Sequence, residues 1–131
     1  ANLASQFSWS IYKGEAPEIY GDGEQQRDFT NVKDIVQAII LAIETKKKFG
    51  SDIFNIGTNK AYNLNILVEK INKVMGTGVK PKHIVNPVKE GYVRKQLADI
   101  KKIKRELGFK PSIDIEEGLK EIYEDLKASN K

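Results

Sequence analysis

Apolar side chains recur at Val32, Ile35, Val36, Ile39, Ile40 and Ile43, the i, i+3, i+4, i+7 spacing of a helix with one buried stripe. Asn31 stands where an N-cap is wanted, Asp34 suits the positive end of the helix dipole, and Lys46 to Lys48 before Gly50 suit the negative end. The pattern predicts a helix over Val32 to Lys47. A second helix follows from Leu64, Leu67, Val68, Ile71, Val74 and Met75, opened by Asn63 and closed by Gly76. A third, short one is expected over Asp99 to Leu107, with Gly108 at its end and Pro111 forbidding continuation. The last has Asp114 as cap and Glu117 as capping-box partner, with Ile115, Leu119, Ile122 and Leu126 facing inward. Phe7, Trp9 and Ile11 belong to an amino-terminal helical or extended segment.

Between the helices lie short apolar or β-branched runs that read as strands: Glu18 to Tyr20, Arg27 to Asn31, Asp52 to Ile56 and His83 to Asn86. The first two flank Gly21-Asp22-Gly23, whose glycines permit positive φ, so a hairpin-like reversal is expected there. Ile53-Phe54-Asn55-Ile56 is a continuous apolar run, the pattern of a strand buried on both faces next to a crossover. Short strands alternating with four main helices give an α/β chain, or α+β in isolation, and residues 1–131 read as one domain.

Composition narrows the chemistry. With 40% hydrophobic and 31% charged residues, ten Gly and four Pro, the chain is neither collagen-like nor disordered. The absence of cysteine excludes thiol nucleophiles and zinc-thiolate sites, and one histidine, His83, cannot build a multi-histidine metal site. No run approaches the roughly 18 to 20 apolar residues of a membrane span, and Ala1 to Ser10 lack a signal pattern, so a cytoplasmic protein without a membrane partner is expected. The net charge is +4, with 22 Lys and Arg against 18 Asp and Glu, but it is uneven. Between Lys80 and Lys110, ten basic residues face three acidic ones. Such a field attracts polyphosphate, nucleic acid or a phosphorylated small molecule.

One stretch is more specific. Ile19-Tyr20-Gly21-Asp22-Gly23-Glu24-Gln25-Gln26-Arg27-Asp28-Phe29-Thr30-Asn31-Val32-Lys33-Asp34 joins a reversal, an Arg-Asp pair and a capped amphipathic helix. It resembles the extended short-chain dehydrogenases that act on nucleotide sugars, the UDP-glucose 4-epimerase-like epimerases and their dehydratase relatives. The resemblance continues in order through Phe54-Asn55-Ile56-Gly57, Leu67 to Ile71, Ala98 to Lys102, Leu107-Gly108-Phe109 and Ile115 to Leu119. What it matches is the carboxyl-terminal, substrate-binding domain. The family's amino-terminal Rossmann half, with its glycine-rich loop and Tyr-x-x-x-Lys pair, is missing: neither Gly21-x-Gly23 nor Gly76-x-Gly78 completes Gly-x-Gly-x-x-Gly. Tyr123 and Lys127 have the Tyr-x-x-x-Lys spacing but read as a solvated helix face.

The resemblance implies a nucleotide-diphosphate sugar as partner, NAD as cofactor of the full-length parent with none bound by this chain alone, and a homodimeric parent. It also implies roles. Arg27 falls on the phosphate-binding arginine, a cation whose forked donors grip diphosphate oxygens in pairs. Glu18, Ile19 and Tyr20 correspond to the stretch that lines the base, and Asn55 to a position that contacts ribose or phosphate in some members. Lys89 stands near a second phosphate-binding arginine, Tyr92 where many relatives carry an aspartate for the ribose, and Arg94 is a substitute cation. Asp28 is expected to hold Arg27 or a helix end. His83 is assigned no role, and Lys101, Lys102, Lys104 and Arg105 read as a solvated face. Two other classes stay open, a nucleic-acid-binding module using the Lys80 to Lys110 patch and a stand-alone regulatory or assembly domain. Aromatic residues are not interleaved with the basic run, which speaks against the first.

Overall fold

The structure, a computed structural model, describes residues 2–88 and 90–130. Its order is α1 (Leu3–Tyr12), β1 (Glu18–Tyr20), β2 (Gln26–Arg27), α2 (Val32–Glu44), β3 (Tyr62–Asn63), α3 (Leu64–Met75), β4 (Lys82–Ile84), α4 (Lys101–Leu107) and α5 (Ile115–Ser129). The mixed helix and short-strand class matches expectation. Each long helix begins where a side-chain oxygen can take an orphan N–H: Asn2 caps α1, Asn31 caps α2, Asn63 caps α3 and Asp114 caps α5. Gly76 and Gly108 close α3 and α4 in the left-handed conformation that costs glycine little.

The main core lies among α1, α3, α5 and β1. Phe7 and Ile11 of α1, Ile19 of β1, Leu64, Leu67, Val68 and Ile71 of α3, and Ile115 and Leu119 of α5 bury one another. A smaller cluster joins Ala38 of α2 to Ile100, Ile103 and Phe109 around α4.

Several expectations are corrected. The reversal at Gly21-Asp22-Gly23 does not make a hairpin: β1 pairs in parallel with β4 in the register Glu18↔Lys82, and β2 pairs antiparallel with β3 in the register Arg27↔Tyr62. The strand expected over Arg27 to Asn31 shrinks to Gln26–Arg27, because Asp28 turns its side chain to the loop at Thr58 and the chain leaves the ladder. Gly23 has φ +78°, and its carbonyl instead accepts from Leu64 at the start of α3.

The segment Asp52 to Ile56 is not a strand. Ile53 is 81% exposed, and among the described residues the N–H groups of Phe54, Asn55 and Ile56 have no hydrogen-bond partner. Among the described residues no strand pairs with it.

The stripe on α2 is not buried. The helix turns Asp34, Ala38 and Leu41 toward α4 and the Ser112 loop, while Val32, Ile35, Val36, Ile39, Ile40 and Ile43 stand exposed, Ile43 at 76%. The periodicity located the helix correctly and its buried side wrongly. Its end also comes earlier, at Glu44, and α4 starts at Lys101 rather than Asp99, whose carboxylate accepts from the Lys101 N–H.

Candidate functional site

Two buried or half-buried carboxylates fasten the loops around β2. Asp28 accepts from the Thr58 N–H at 3.0 Å, the Thr58 hydroxyl at 2.6 Å, the Asn59 N–H at 3.0 Å and the Ala98 N–H at 3.3 Å. It therefore ties β2 to two distant loops and neither pairs with Arg27 nor caps a helix, as had been expected. Asp34, 1% exposed, accepts from the N–H and hydroxyl of Ser112 and from the Ile113 N–H.

With Asp28 committed to the loops, Arg27 is left to point elsewhere. Its Nη1 donates to the Gln26 carbonyl at 2.7 Å, and the guanidinium carbon lies 5.5 Å from the centre of the Tyr92 ring. No carboxylate pairs with it among the described residues. Most of its five N–H donors stay available for an anion. Arg94 is in the opposite condition. Its Nη1 and Nη2 donate to the two carboxylate oxygens of Asp22 at 2.8 and 2.9 Å, and this forked bond holds the Asp22 carboxyl down to about 2. As a substitute cation Arg94 would first have to leave Asp22.

Tyr92 lines a cavity of about 550 Å³ together with Glu18 and Tyr20 of β1, Leu3, Phe7 and Trp9 of α1, and Leu64. Apolar and aromatic walls with a few carboxylates are the makeup of a small-molecule site. The cavity thus brings together Glu18, Tyr20 and Tyr92, and through the Tyr92 ring it reaches Arg27. Asn55 lies elsewhere, in a smaller hollow of about 320 Å³ with Asp28, Thr30 and Leu97. Lys89 is outside the described residues.

Sequence reasoning missed Gln25. A polar residue among turn formers is expected at the surface, yet Gln25 is 1% exposed. Its Nε2 donates to the Tyr20 carbonyl at 2.7 Å and to the Tyr92 hydroxyl at 2.9 Å, so it spans from β1 to the opposite wall. Its Oε1 is buried with no partner among the described residues. The α1 wall was also unforeseen, since only the fold brings Leu3 and Phe7 to face β1.

The remaining features have ordinary surroundings. His83 is exposed and its Nε2 lies 3.0 Å from Asn65 Oδ1. Tyr123 packs edge-on against Tyr12, and Lys127 pairs with Glu124 above the Tyr123 ring. In the basic run, Lys102 is held by Asp52 and Arg105 by Glu106, which spends part of its field on neighbouring carboxylates. Among the described residues no group of His, Asp or Glu could hold a metal ion, and no helix is long and apolar enough to cross a membrane.

Residues 2–122 match the family model described as GDP-mannose 4,6 dehydratase. The chain belongs to this family. Family members among its relatives include the UDP-glucuronate 4-epimerase of Thermodesulfobacterium geofontis, 35% identical over 111 residues, which cover 84% of this chain and 33% of that protein. The UDP-glucose 4-epimerase of Thermotoga maritima, solved with UDP-glucose, superposes with a TM-score of 0.88 at 34% identity, over 100% of this chain and 41% of that one. MoeE5, solved with UDP-glucuronic acid and NAD, gives a TM-score of 0.83 at 33% identity, over 97% of this chain and 42% of that one. The chain therefore spans about a third to two fifths of the length of these family members. It corresponds to the carboxyl-terminal part of the extended short-chain dehydrogenases of the nucleotide-sugar epimerase and dehydratase type, as the motif order had indicated.

Proposed function

We propose that residues 1–131 form the nucleotide-sugar-binding domain of an NAD-dependent nucleotide-sugar 4-epimerase or related dehydratase. The domain anchors the nucleotide diphosphate while the rest of the parent polypeptide carries the cofactor and the catalytic Tyr/Lys pair. One observation carries the reading: Arg27, with most of its donors unspent, lies against the ring of Tyr92, which walls a cavity together with Glu18 and Tyr20. A guanidinium beside an aromatic cavity suits a diphosphate next to a flat base, and anchoring that remote end orients the sugar for chemistry elsewhere. The relatives solved with UDP-sugars support the same class.

The chain's own glycines do not suit a dinucleotide. Gly76-Thr77-Gly78 follows α3 at its C-terminal end, where the dipole disfavours phosphate, and Gly23 faces the Asn65 side chain, which a Cβ there would meet at 2.3 Å. On this reading NAD is held by the part of the parent outside these residues.

The exposed face of α2 and the unpaired run at Ile53 to Ile56 support the existence of that part. An exposed apolar helix face and an extended run whose backbone N–H groups have no partner are what a completed parallel sheet would cover. The amino-terminal Rossmann half is the proposed cover. A homodimeric parent belongs to the same proposal, and sedimentation velocity reads it out.

Hydrogen–deuterium exchange of the full-length protein with and without UDP tests the site. Protection is expected in segments 18–27 and 90–96 and not in segment 65–80. UDP binding that leaves the first two segments unprotected would place the site elsewhere and end the proposal.

A further inference from the structure

Arg27 is useful to a diphosphate only if its long side chain is held ready, since fixing a flexible arginine at the moment of binding costs affinity. The Gln26 carbonyl alone restrains one nitrogen and leaves the guanidinium plane free to turn. The second restraint is the face of Tyr92, and Tyr92 is itself restrained from behind. Gln25 Nε2 donates at once to the Tyr92 hydroxyl and to the Tyr20 carbonyl, and Gln25 is buried. The chain of contacts runs from the β1 backbone through a buried amide and an aromatic ring to a cation.

We propose that Gln25 and Tyr92 are positioning residues for Arg27: the Gln25 amide fixes the Tyr92 ring to β1, and the ring face holds the guanidinium toward the diphosphate. The inference rests on the reading of Arg27 given above. Tyr92 acts through its ring, and its hydroxyl serves as an acceptor for Gln25. Gln25 touches no ligand through Nε2, because both partners of that nitrogen are protein atoms.

The test compares UDP with uridine, so that the diphosphate increment is isolated from binding of the base and ribose. Titration calorimetry on the full-length protein is done for wild type, Arg27→Ala, Tyr92→Leu, Tyr92→Phe and the Arg27→Ala/Tyr92→Leu double variant. Wild type is expected to prefer UDP over uridine by about tenfold or more, as charge-assisted bonds to phosphate require. Arg27→Ala and Tyr92→Leu should each lose most of that preference, the double variant should lose no more than Arg27→Ala, and Tyr92→Phe, which keeps the ring but removes the hydroxyl that Gln25 holds, should lose part of it. A variant whose far-UV circular dichroism departs from wild type is replaced by Gln25→Leu, for which a partial loss is expected.

Two results overturn the inference while leaving Arg27 as the anion site: a full UDP preference in Tyr92→Leu, or a full UDP preference in Tyr92→Phe, which would leave the Gln25 bond without effect. Additive losses in the double variant overturn it as well, since they would mean that Tyr92 acts independently of Arg27. Failure of the underlying reading looks different, because a wild type without any UDP preference, or an Arg27→Ala variant that retains it, removes the premise itself.

Discussion

Replacing Asp28 by Asn removes the fastening on which the site's geometry depends. The carboxylate takes three backbone N–H groups and a hydroxyl from two loops, Thr58–Asn59 and Ala98, at 2.6 to 3.3 Å. An amide keeps the shape but turns one acceptor into a donor. If the nitrogen takes the place of Oδ2, it faces the Asn59 and Ala98 N–H groups. In the place of Oδ1 it faces the Thr58 N–H. Hydrogen bonds to a charged group contribute about 1.5 to 3 kcal/mol each, and one or two are lost or opposed in either orientation. Because the site is only half-buried, the lower end applies, and a loss of about 1.5 to 3 kcal/mol is expected. In a chain of this size that corresponds to a fall in Tm of roughly 5 to 10 °C. Thermal unfolding followed by circular dichroism checks it, with Thr58→Val as a partner in a double-mutant cycle where a coupling of about 1 kcal/mol is expected. A fall under about 2 °C would mean that the loops hold themselves and that Asp28 is incidental.

Gly57 lies against the same fastening: a Cβ there would meet Ala98 Cβ at 2.4 Å and Asp28 Oδ2 at 2.8 Å, neither able to swing away. Gly57→Ala should therefore cost about 1 to 3 kcal/mol in denaturant unfolding, and a neutral result would show that the loop yields freely. The Asp22 carboxyl should titrate at about 2 by NMR in the native protein and return toward 3.8 in Arg94→Ala. Since its folded value lies below the unfolded one, what the pair adds to stability is present above about pH 4 and is lost as the pH falls toward 2. A titration unmoved by Arg94→Ala would contradict the forked bond.

What could be read from the sequence was what local chemistry decides. The caps at Asn31, Asn63 and Asp114 and the glycine stops at Gly76 and Gly108 fell where expected, because capping depends on residues one turn apart. The pairing of strands did not follow the same logic. Gly21 and Gly23 do take positive φ, yet the turn they make delivers β1 to β4, some sixty residues away, and that choice depends on packing around Ile19. The helix α2 shows a deeper reason for error. Periodicity says that one face is apolar, but not whether its cover lies within these residues, and here Ala38 and Leu41 meet α4 while the richer stripe faces outward. Around the candidate cavity, Glu18, Tyr20 and the nearby Arg27 had been singled out from motif order, whereas Gln25 was hidden by a polar side chain in a turn-rich stretch.

The central claim is that Arg27 grips the diphosphate of a nucleotide sugar, and calorimetric titration of UDP-glucose and UDP-glucuronic acid into the full-length protein and its Arg27→Ala variant meets it most directly. The account predicts binding of at least one of the two sugars by the wild type and an affinity weaker by about tenfold or more in the variant. Equal affinities in the two proteins would contradict it.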